Sequence, residues 1–314
     1  MAVGTLLPRN AKTDPGGCAV RTKGYLKSGG TSPSRYFHRF AILALALALN
    51  EATATPARSQ DIRNDDQTRD LKEIIAEGSL RVAFANFDVP GFRRKLPSGE
   101  FEGPEFELAK DIAKTLNLKV VLVNGGDTFN ALAKTVADLK ADIGINRMSA
   151  SFDRAPYVRF SQPYAKLRHA MVYNRSAVAR LANGGNPEEA FRAFSGRIGV
   201  IGASSYVEFA KENFPTATIV EVKSWDAGIQ ALKDQTIDGL YRDEFEVRRV
   251  LERNPDMGVP FGSAIFTDKV DLKVVYVCNP CANLQQLVNL YIESNQQLLA
   301  KTMSIDALMR NARK

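Results

Sequence analysis

The chain has 314 residues, 45 % of them apolar, and a formal net charge of +7. That length allows one large domain or two medium ones, and the apolar content is ample for a packed core, which excludes a disordered chain. The charge is unevenly placed: residues 1–57 hold seven of the 42 Lys and Arg and two of the 35 Asp and Glu, leaving 35 against 33, so a nucleic-acid partner loses its main support.

The segment RYFHRFAILALALALNEATATPA (35–57) places Arg35 and Arg39 before an apolar run from Phe40 to Leu49, with small residues after it. That order is the one found in a secretory signal peptide, and ten apolar residues are too few to cross a bilayer core of roughly 30 Å. We read residues 1–57 as a signal peptide and leader, cleaved near Ala54 or Ala57, and the mature protein as periplasmic. Cys18, in PGGCAV, has no apolar run before it and is not a lipid-attachment site. No later segment reaches 18 uninterrupted apolar residues, so no membrane span is expected.

Residues 58–72 read as a polar lead-in. Strand and helix patterns then alternate: LRVAFA (80–85), FELAKDIAKTLN (106–117), KVVLVN (119–124), FNALAKTVADLKA (129–141) and ADIGIN (141–146). After an irregular stretch at 146–164 come GRIGVIG (196–202), YVEFAKENF (206–214), TIVEV (218–222), WDAGIQALKDQ (225–235), IDGLY (237–241) and DEFEVRRVLER (243–253). The strand DLKVVYV (271–277) and one long helix over 282–299 follow. Alternation of this kind predicts βαβ units and an α/β fold of mostly parallel sheets flanked by helices. The strand-rich stretches 165–174 and 266–277 are the expected crossings between two lobes. Lobe 1 is then 73–167 plus 269–314, and lobe 2 is 168–268. Ligands of open α/β sheets bind beyond the carboxyl ends of strands, which directs attention to the loops after 85, 124, 146, 201 and 241.

The loop after 146 carries Ser149, Ser151 and Arg154. Hydroxyls, free backbone N–H groups and a planar guanidinium suit a carboxylate. On the residues alone, a helix cap followed by a surface arginine accounts for the same stretch.

The wider pattern resembles the solute-binding proteins of ABC importers, specifically the polar-amino-acid-binding family, family 3. The residues that carry the resemblance are INRMSASFDR (145–154), FSQPY (160–164), LKEIIAEGSLRVAF (71–84), FEGPEFELAKDIAKTL (101–116), GRIGVIGASSY (196–206) and DQTIDGLYRD (234–243). It extends over Leu71–Asn311 and implies the two-lobed type II periplasmic-binding-protein fold. It also implies that Ser149, Ser151 and Arg154 hold an α-carboxylate, that Ser205, with Ser204 beside it, closes on that carboxylate, and that Asp243 takes the α-ammonium. Phe129, thirteen residues before Asp142, has the spacing of the family's ligand-stacking ring, and is equally a core residue of an amphipathic helix.

Departures from the family pattern matter. Ala85 stands where many members carry an acid, and Asp88 falls where a second ring is common, with Phe87 next to it. Arg147 replaces a usually small residue and Arg242 precedes Asp243. Two arginines there imply a second anionic or strongly hydrogen-bonding group on the ligand, unless they pair with Asp88 or Asp243 or point to solvent. An inward Arg147 would weaken the ammonium assignment.

Beyond the leader the chain has a single histidine, His169, and no metal-ligand spacing or phosphate-binding glycine loop, so no cofactor is expected and catalysis has little to work with. CNPC at 278–281 ends the last strand at a turn, and in an oxidising compartment Cys278 and Cys281 are expected to form a stapling disulfide. The sequence is best read as an exported monomeric binding protein, not an enzyme, that delivers a small polar or acidic amino acid or related carboxylate to ABC importer membrane subunits. The alternatives are a cyclohexadienyl-dehydratase-like enzyme, with Asp88 its one candidate acid, and a non-transport interaction subunit with a degenerate pocket.

Overall fold

The computed structural model describes residues 4–6, 69–185, 190–191 and 193–313. The leader and its cleavage point lie outside these, apart from the three-residue strand β1 (Gly4–Leu6), which pairs parallel with Ala264–Phe266. No helix among the described residues is long and apolar enough to cross a membrane.

The strands are β2 (Ser79–Phe84), β3 (Arg94–Lys95), β4 (Phe101–Glu102), β5 (Lys119–Asn124), β6 (Ile143–Gly144), β7 (Val158–Asn174), β8 (Arg197–Ile201), β9 (Thr218–Val222), β10 (Gly239–Asp243) and β11 (Phe261–Cys278). The helices are α1 (Leu71–Glu77), α2 (Pro104–Lys114), α3 (Phe129–Ala137), α4 (Arg175–Ala182), α5 (Ser205–Asn213), α6 (Trp225–Lys233), α7 (Glu244–Arg253), α8 (Ala282–Ser294), α9 (Gln296–Thr302) and α10 (Ile305–Ala312). The main sheet runs β5-β2-β6-β11-β7-β10-β8-β9, while β3 and β4 form a separate hairpin. The pairs β2–β5, β2–β6, β8–β9 and β8–β10 are parallel. The two long strands β7 and β11 pair antiparallel from Phe261↔Asn174 to Cys278↔Val158, with a register shift between Phe266 and Val270. This is the α/β architecture that the alternating elements predict.

Local chemistry sets each element. Asp70 and Glu73 close a reciprocal cap at the start of α1, and Gly78, at φ 68°, ends it, where a side chain would be strained. Thr128 caps α3, whose buried residues Phe129, Leu132, Ala133 and Val136 recur at helical spacing. A Cβ on Gly144 would lie 2.6 Å from Leu132, so the glycine lets α3 sit directly on β6.

The core divides along the two long strands. Val158, Tyr164, Ala165 and Leu167 of β7 join the cluster that contains Val82, Ile143, Val275 and Leu284. Further along, Met171 packs with Tyr206, Tyr241 and Phe266, while Ala170 and Val172 pack with Leu240, Val250 and Ile265. Successive strand side chains face opposite sides, so this half of the sheet is buried on both faces.

The structure differs from the sequence-based expectation in several places, beginning with the β3–β4 hairpin and α4, which the sequence reading lacks. The irregular stretch already becomes β7 at Val158, the long C-terminal helix breaks at Asn295 into α8 and α9, and α10 follows. Cys278 and Cys281 are joined by a disulfide across the turn between β11 and α8. Replacing both by serine should lower unfolding stability by about 2 kcal/mol, the loop-closure value for so short a ring. Ligand affinity should stay within about twofold, because the bridge lies in the core cluster under β11 and not at the cavity described below. Denaturant melts and calorimetry on the double variant check both; a loss of binding at unchanged stability would contradict a stapling role.

Candidate functional site

Asp142 fixes the loop after β6. It is fully buried, takes the Arg81 backbone N–H at 2.7 Å, and receives the Arg69 and Arg81 guanidinium groups. Arg147 then adopts a left-handed backbone, φ 52°, and its N–H donates to Glu105 at 2.5 Å. Tyr164 Oη also donates to Glu105, whose carboxyl burial nevertheless pushes up. Held in this way, the loop delivers Arg147, Ser149, Ser151 and Arg154 to the interior.

All four are buried. Arg147 donates through Nη1 to Glu246 Oε1 at 2.8 Å and has Nε 3.9 Å from Asp243 Oδ2, with its guanidinium between the Phe92 and Phe245 rings. The expectation that Arg147 pairs or faces solvent is thus resolved inward, beside Asp243. Ser149 Oγ donates to Asp271 Oδ2 and accepts from Lys273 Nζ, both at 3.1 Å. Ser151 Oγ is buried without a partner among the described residues. Arg154 donates to Asn130 Oδ1 through Nε at 3.2 Å and Nη2 at 2.7 Å, and to Tyr276 Oη at 3.0 Å. Among the described residues no carboxylate lies within 4.0 Å of the Arg154 guanidinium.

The second half of the sheet supplies the facing groups. Ser204 caps α5, accepting the Tyr206 N–H at 3.3 Å, and donates to Ile201 O at 2.5 Å. Ser204 takes the Tyr206 and Val207 N–H groups of that helix start, so what favours an anion beside Ser205 is the helix dipole. The Asn130 N–H donates to Ala203 O at 3.2 Å, and the Phe152 N–H to Glu208 Oε1 at 2.8 Å, tying the two sides together. Asp243 ends β10 and caps α7 through the Glu246 N–H at 3.0 Å. Its other oxygen accepts no hydrogen bond from the described residues and lies 3.9 Å from each of Arg147 Nε, Arg242 Nε and Lys273 Nζ. Burial alone would raise the Asp243 carboxyl, but Arg147, Lys273 and Arg242 hold it below the usual range. Arg242 lies between rings, its guanidinium 5.3 Å from the Phe129 centroid and 5.5 Å from that of Tyr206.

Phe129, Arg147, Ser149, Arg154, Ser204, Ser205 and Arg242 therefore converge on one small internal cavity of about 10 Å³, with Asp243 behind it, which is room for about one water. Arg154, Ser204 and Ser205 also line a chamber of about 690 Å³, to which Ser151, Asn130 and Glu208 contribute. Phe87, half-buried, stacks edge-on against Phe129 at 5.3 Å. Asp88 is not brought to the cavity: it is exposed, accepts the Lys95 N–H at 2.9 Å, and lines a separate surface groove.

Sequence reasoning missed Lys273, Asp271, Tyr206, Tyr276, Asn130 and Glu246. Lys273 and Asp271 are 1 % exposed, whereas their neighbours Val270 and Leu272 are 47 % and 36 % exposed. Burial lowers the Lys273 ammonium, and Asp271 and Asp243 counter it. A signal existed, since a charged pair two residues apart shares one face of a strand. His169 packs against Tyr206 and Tyr241, and burial holds its imidazole down to about 4, neutral at physiological pH. Among the described residues no group of three or more His, Cys, Asp or Glu is placed to hold a metal.

A mostly parallel sheet with two long antiparallel crossings, and a polar cleft beyond the strand ends, is the type II periplasmic-binding-protein fold. Solved structures agree. The amino acid ABC transporter substrate-binding protein AbpA from Streptococcus pneumoniae, bound to L-arginine, superposes with a TM-score of 0.60 at 23 % identity, over 78 % of this chain and 100 % of that one. An ancestral amino-acid-binding protein, AncCDT-1, described as a precursor of cyclohexadienyl dehydratase, gives 0.56 at 20 % identity, over 74 % and 97 %. ABC transporter arginine-binding protein 1 of Escherichia coli (strain K12) is 26 % identical over 187 residues, 58 % of this chain and 72 % of the relative. The model of the bacterial extracellular solute-binding proteins, family 3, matches residues 80–246, more than half of the 314. The chain belongs to that family of solute-binding proteins, and AbpA and arginine-binding protein 1 are ABC transporter binding proteins.

Proposed function

We propose that this chain is an exported, periplasmic solute-binding protein that captures a small polar or acidic amino acid, or a related small carboxylate, and delivers it as a monomer to the membrane subunits of an ABC importer. The two lobes are 73–167 plus 269–314 and 168–268. The division of the core at Leu167 and Ala170, and the register break after Phe266, support those boundaries.

The observation that carries the reading is Arg154. Its fork is aimed by neutral partners, Asn130 and Tyr276, and it stands at the junction of the inner cavity and the outer chamber. A buried guanidinium without an internal counter-charge recruits an anion. Ser151, with its unpartnered hydroxyl, and the start of α5 at Ser204 and Ser205 complete the carboxylate site. The charged residues lining the inner cavity are Arg147, Arg154, Arg242 and Lys273, all cations, so an acidic or amide side chain is favoured over a basic one. An α-ammonium would use the free oxygen of Asp243. Three cations already share that carboxylate, so the ammonium adds little.

Titration calorimetry on the mature protein with L-glutamate, L-glutamine, L-aspartate, L-arginine and the deaminated counterparts tests this. One molecule of an acid or amide should bind per chain, L-arginine should bind weakest, and amino acid and deaminated acid should differ by less than about tenfold. Failure of every small carboxylate to bind would end the reading.

A further inference from the structure

Arg242 is the least satisfied of the cations around the inner cavity. Arg147 donates to Glu246, Lys273 to Asp271 and Ser149, and Arg154 to Asn130 and Tyr276. Among the described residues the Arg242 side chain donates no hydrogen bond to the protein, and its Nε is buried without a partner. What holds it is the Phe129 ring at 5.3 Å, the Tyr206 ring at 5.5 Å, and Asp243 Oδ2 at 3.9 Å. Two ring faces with a buried carboxylate beside them form a recognition site for a free cation. None of those contacts depends on the cation being attached to this chain. Arg242 therefore rests where the side-chain end of a basic ligand would be held, and its bulk leaves about 10 Å³ of cavity beside Arg154.

We propose that Arg242 is a tethered occupant of a cation subsite formed by the Phe129 and Tyr206 rings, and that it is the residue that sets the cleft against ligands ending in a guanidinium or ammonium. The idea rests on the carboxylate site proposed above at Arg154, since a basic amino acid would place its carboxylate there, its α-ammonium towards Asp243 and its side-chain cation between the two rings. Arg242 excludes such a ligand twice over. It fills the volume, and it leaves Asp243 already surrounded by three positive charges. Removing it returns the volume and one counter-charge together, so a ligand cation replaces a protein cation with no net change of charge in the cleft. Phe129 and Tyr206 come from α3 and α5, on the two sides that the Asn130–Ala203 bond ties together. A ligand cation in that place would therefore also be gripped from both sides.

The experiment compares wild type, R242S and R242K by titration calorimetry with L-arginine, L-lysine and L-glutamate. R242S should bind L-arginine at least about tenfold tighter than wild type, while R242K should keep the wild-type order. Methylguanidinium at millimolar concentration should raise the melting temperature of R242S and not that of wild type. A folded R242S with unchanged L-arginine affinity overturns the proposal. So does wild type binding L-arginine as tightly as L-glutamate, an observation that does not depend on how the variant folds. A wild type that binds no acid, next to an R242S that binds L-arginine, would remove the proposed ligand class and leave the tethered cation standing.

Discussion

Replacing Arg154 by alanine should weaken capture of the carboxylate ligand by about 2–5 kcal/mol, roughly thirtyfold to several thousandfold in Kd. The fork is pre-aimed by two neutral groups, so little order is lost when the ligand arrives, and most of its charge is available. Stability should change by no more than about 1 kcal/mol, because Tyr276 Oη keeps its own bond to Ser149 O at 2.6 Å. Arg154→Lys should fall between wild type and alanine, since it keeps the charge and loses the two-pronged geometry. Calorimetry with the tightest ligand of the panel, alongside a denaturant melt, measures both quantities. Unchanged affinity in a folded alanine variant would place the carboxylate elsewhere.

The second large effect concerns stability. Arg147→Met should destabilise the fold by about 3 kcal/mol or more, because a buried ion pair then loses one partner. Glu246 Oε1 loses its donor, and Asp243 loses the largest of the charges that hold it ionised. Arg249 still reaches Glu246 Oε2 at 2.7 Å, so the carboxylate is not abandoned altogether. The double replacement Arg147→Met with Glu246→Leu should recover much of the loss, since two apolar groups suit the Phe92 and Phe245 rings already there. The pH dependence has a definite sign. The Asp243 and Glu246 carboxyls are held low in the folded state, so their stabilisation is present above their unfolded values near 4 and is lost as pH falls through the folded ones. The gap between wild type and Arg147→Met should therefore be widest near neutrality and shrink below about pH 4. Urea midpoints across that range decide it; a constant gap would mean that Arg147 acts through packing and not charge.

What could be read in advance was whatever depends on short-range periodicity. The α/β class and most strands and helices between 79 and 253 follow from alternation and turn chemistry. The first half of β7 was not legible, because it contains Pro163, which reads as a breaker. The strand tolerates it because the register against β11 shifts on either side of Val274, the residue opposite Pro163, and proline is accommodated at such irregularities. The break at Asn295 was hidden because its neighbours keep helical spacing on both sides. Within the site, Ser149, Arg154 and Asp243 were found through a family pattern. Lys273 and Asp271 were not, because they lie on a strand whose composition is otherwise that of a core. Only the register of β11 against β7, Asp271↔Leu167 and Lys273↔Ala165, reveals which way they point.

That pairing has a consequence for how the molecule comes apart. β7 and β11 each belong to the sheet on both sides of the cleft, and they are hydrogen-bonded to one another for almost their full length. Neither half ends in a loose tether that a protease could cut to release it whole, and neither can melt without fraying strands central to the other. The chain should therefore behave as one cooperative unit in a calorimeter, although its core divides along the two long strands. A binding protein made in this way should present no half-unfolded species to a protease that cuts only unfolded chain.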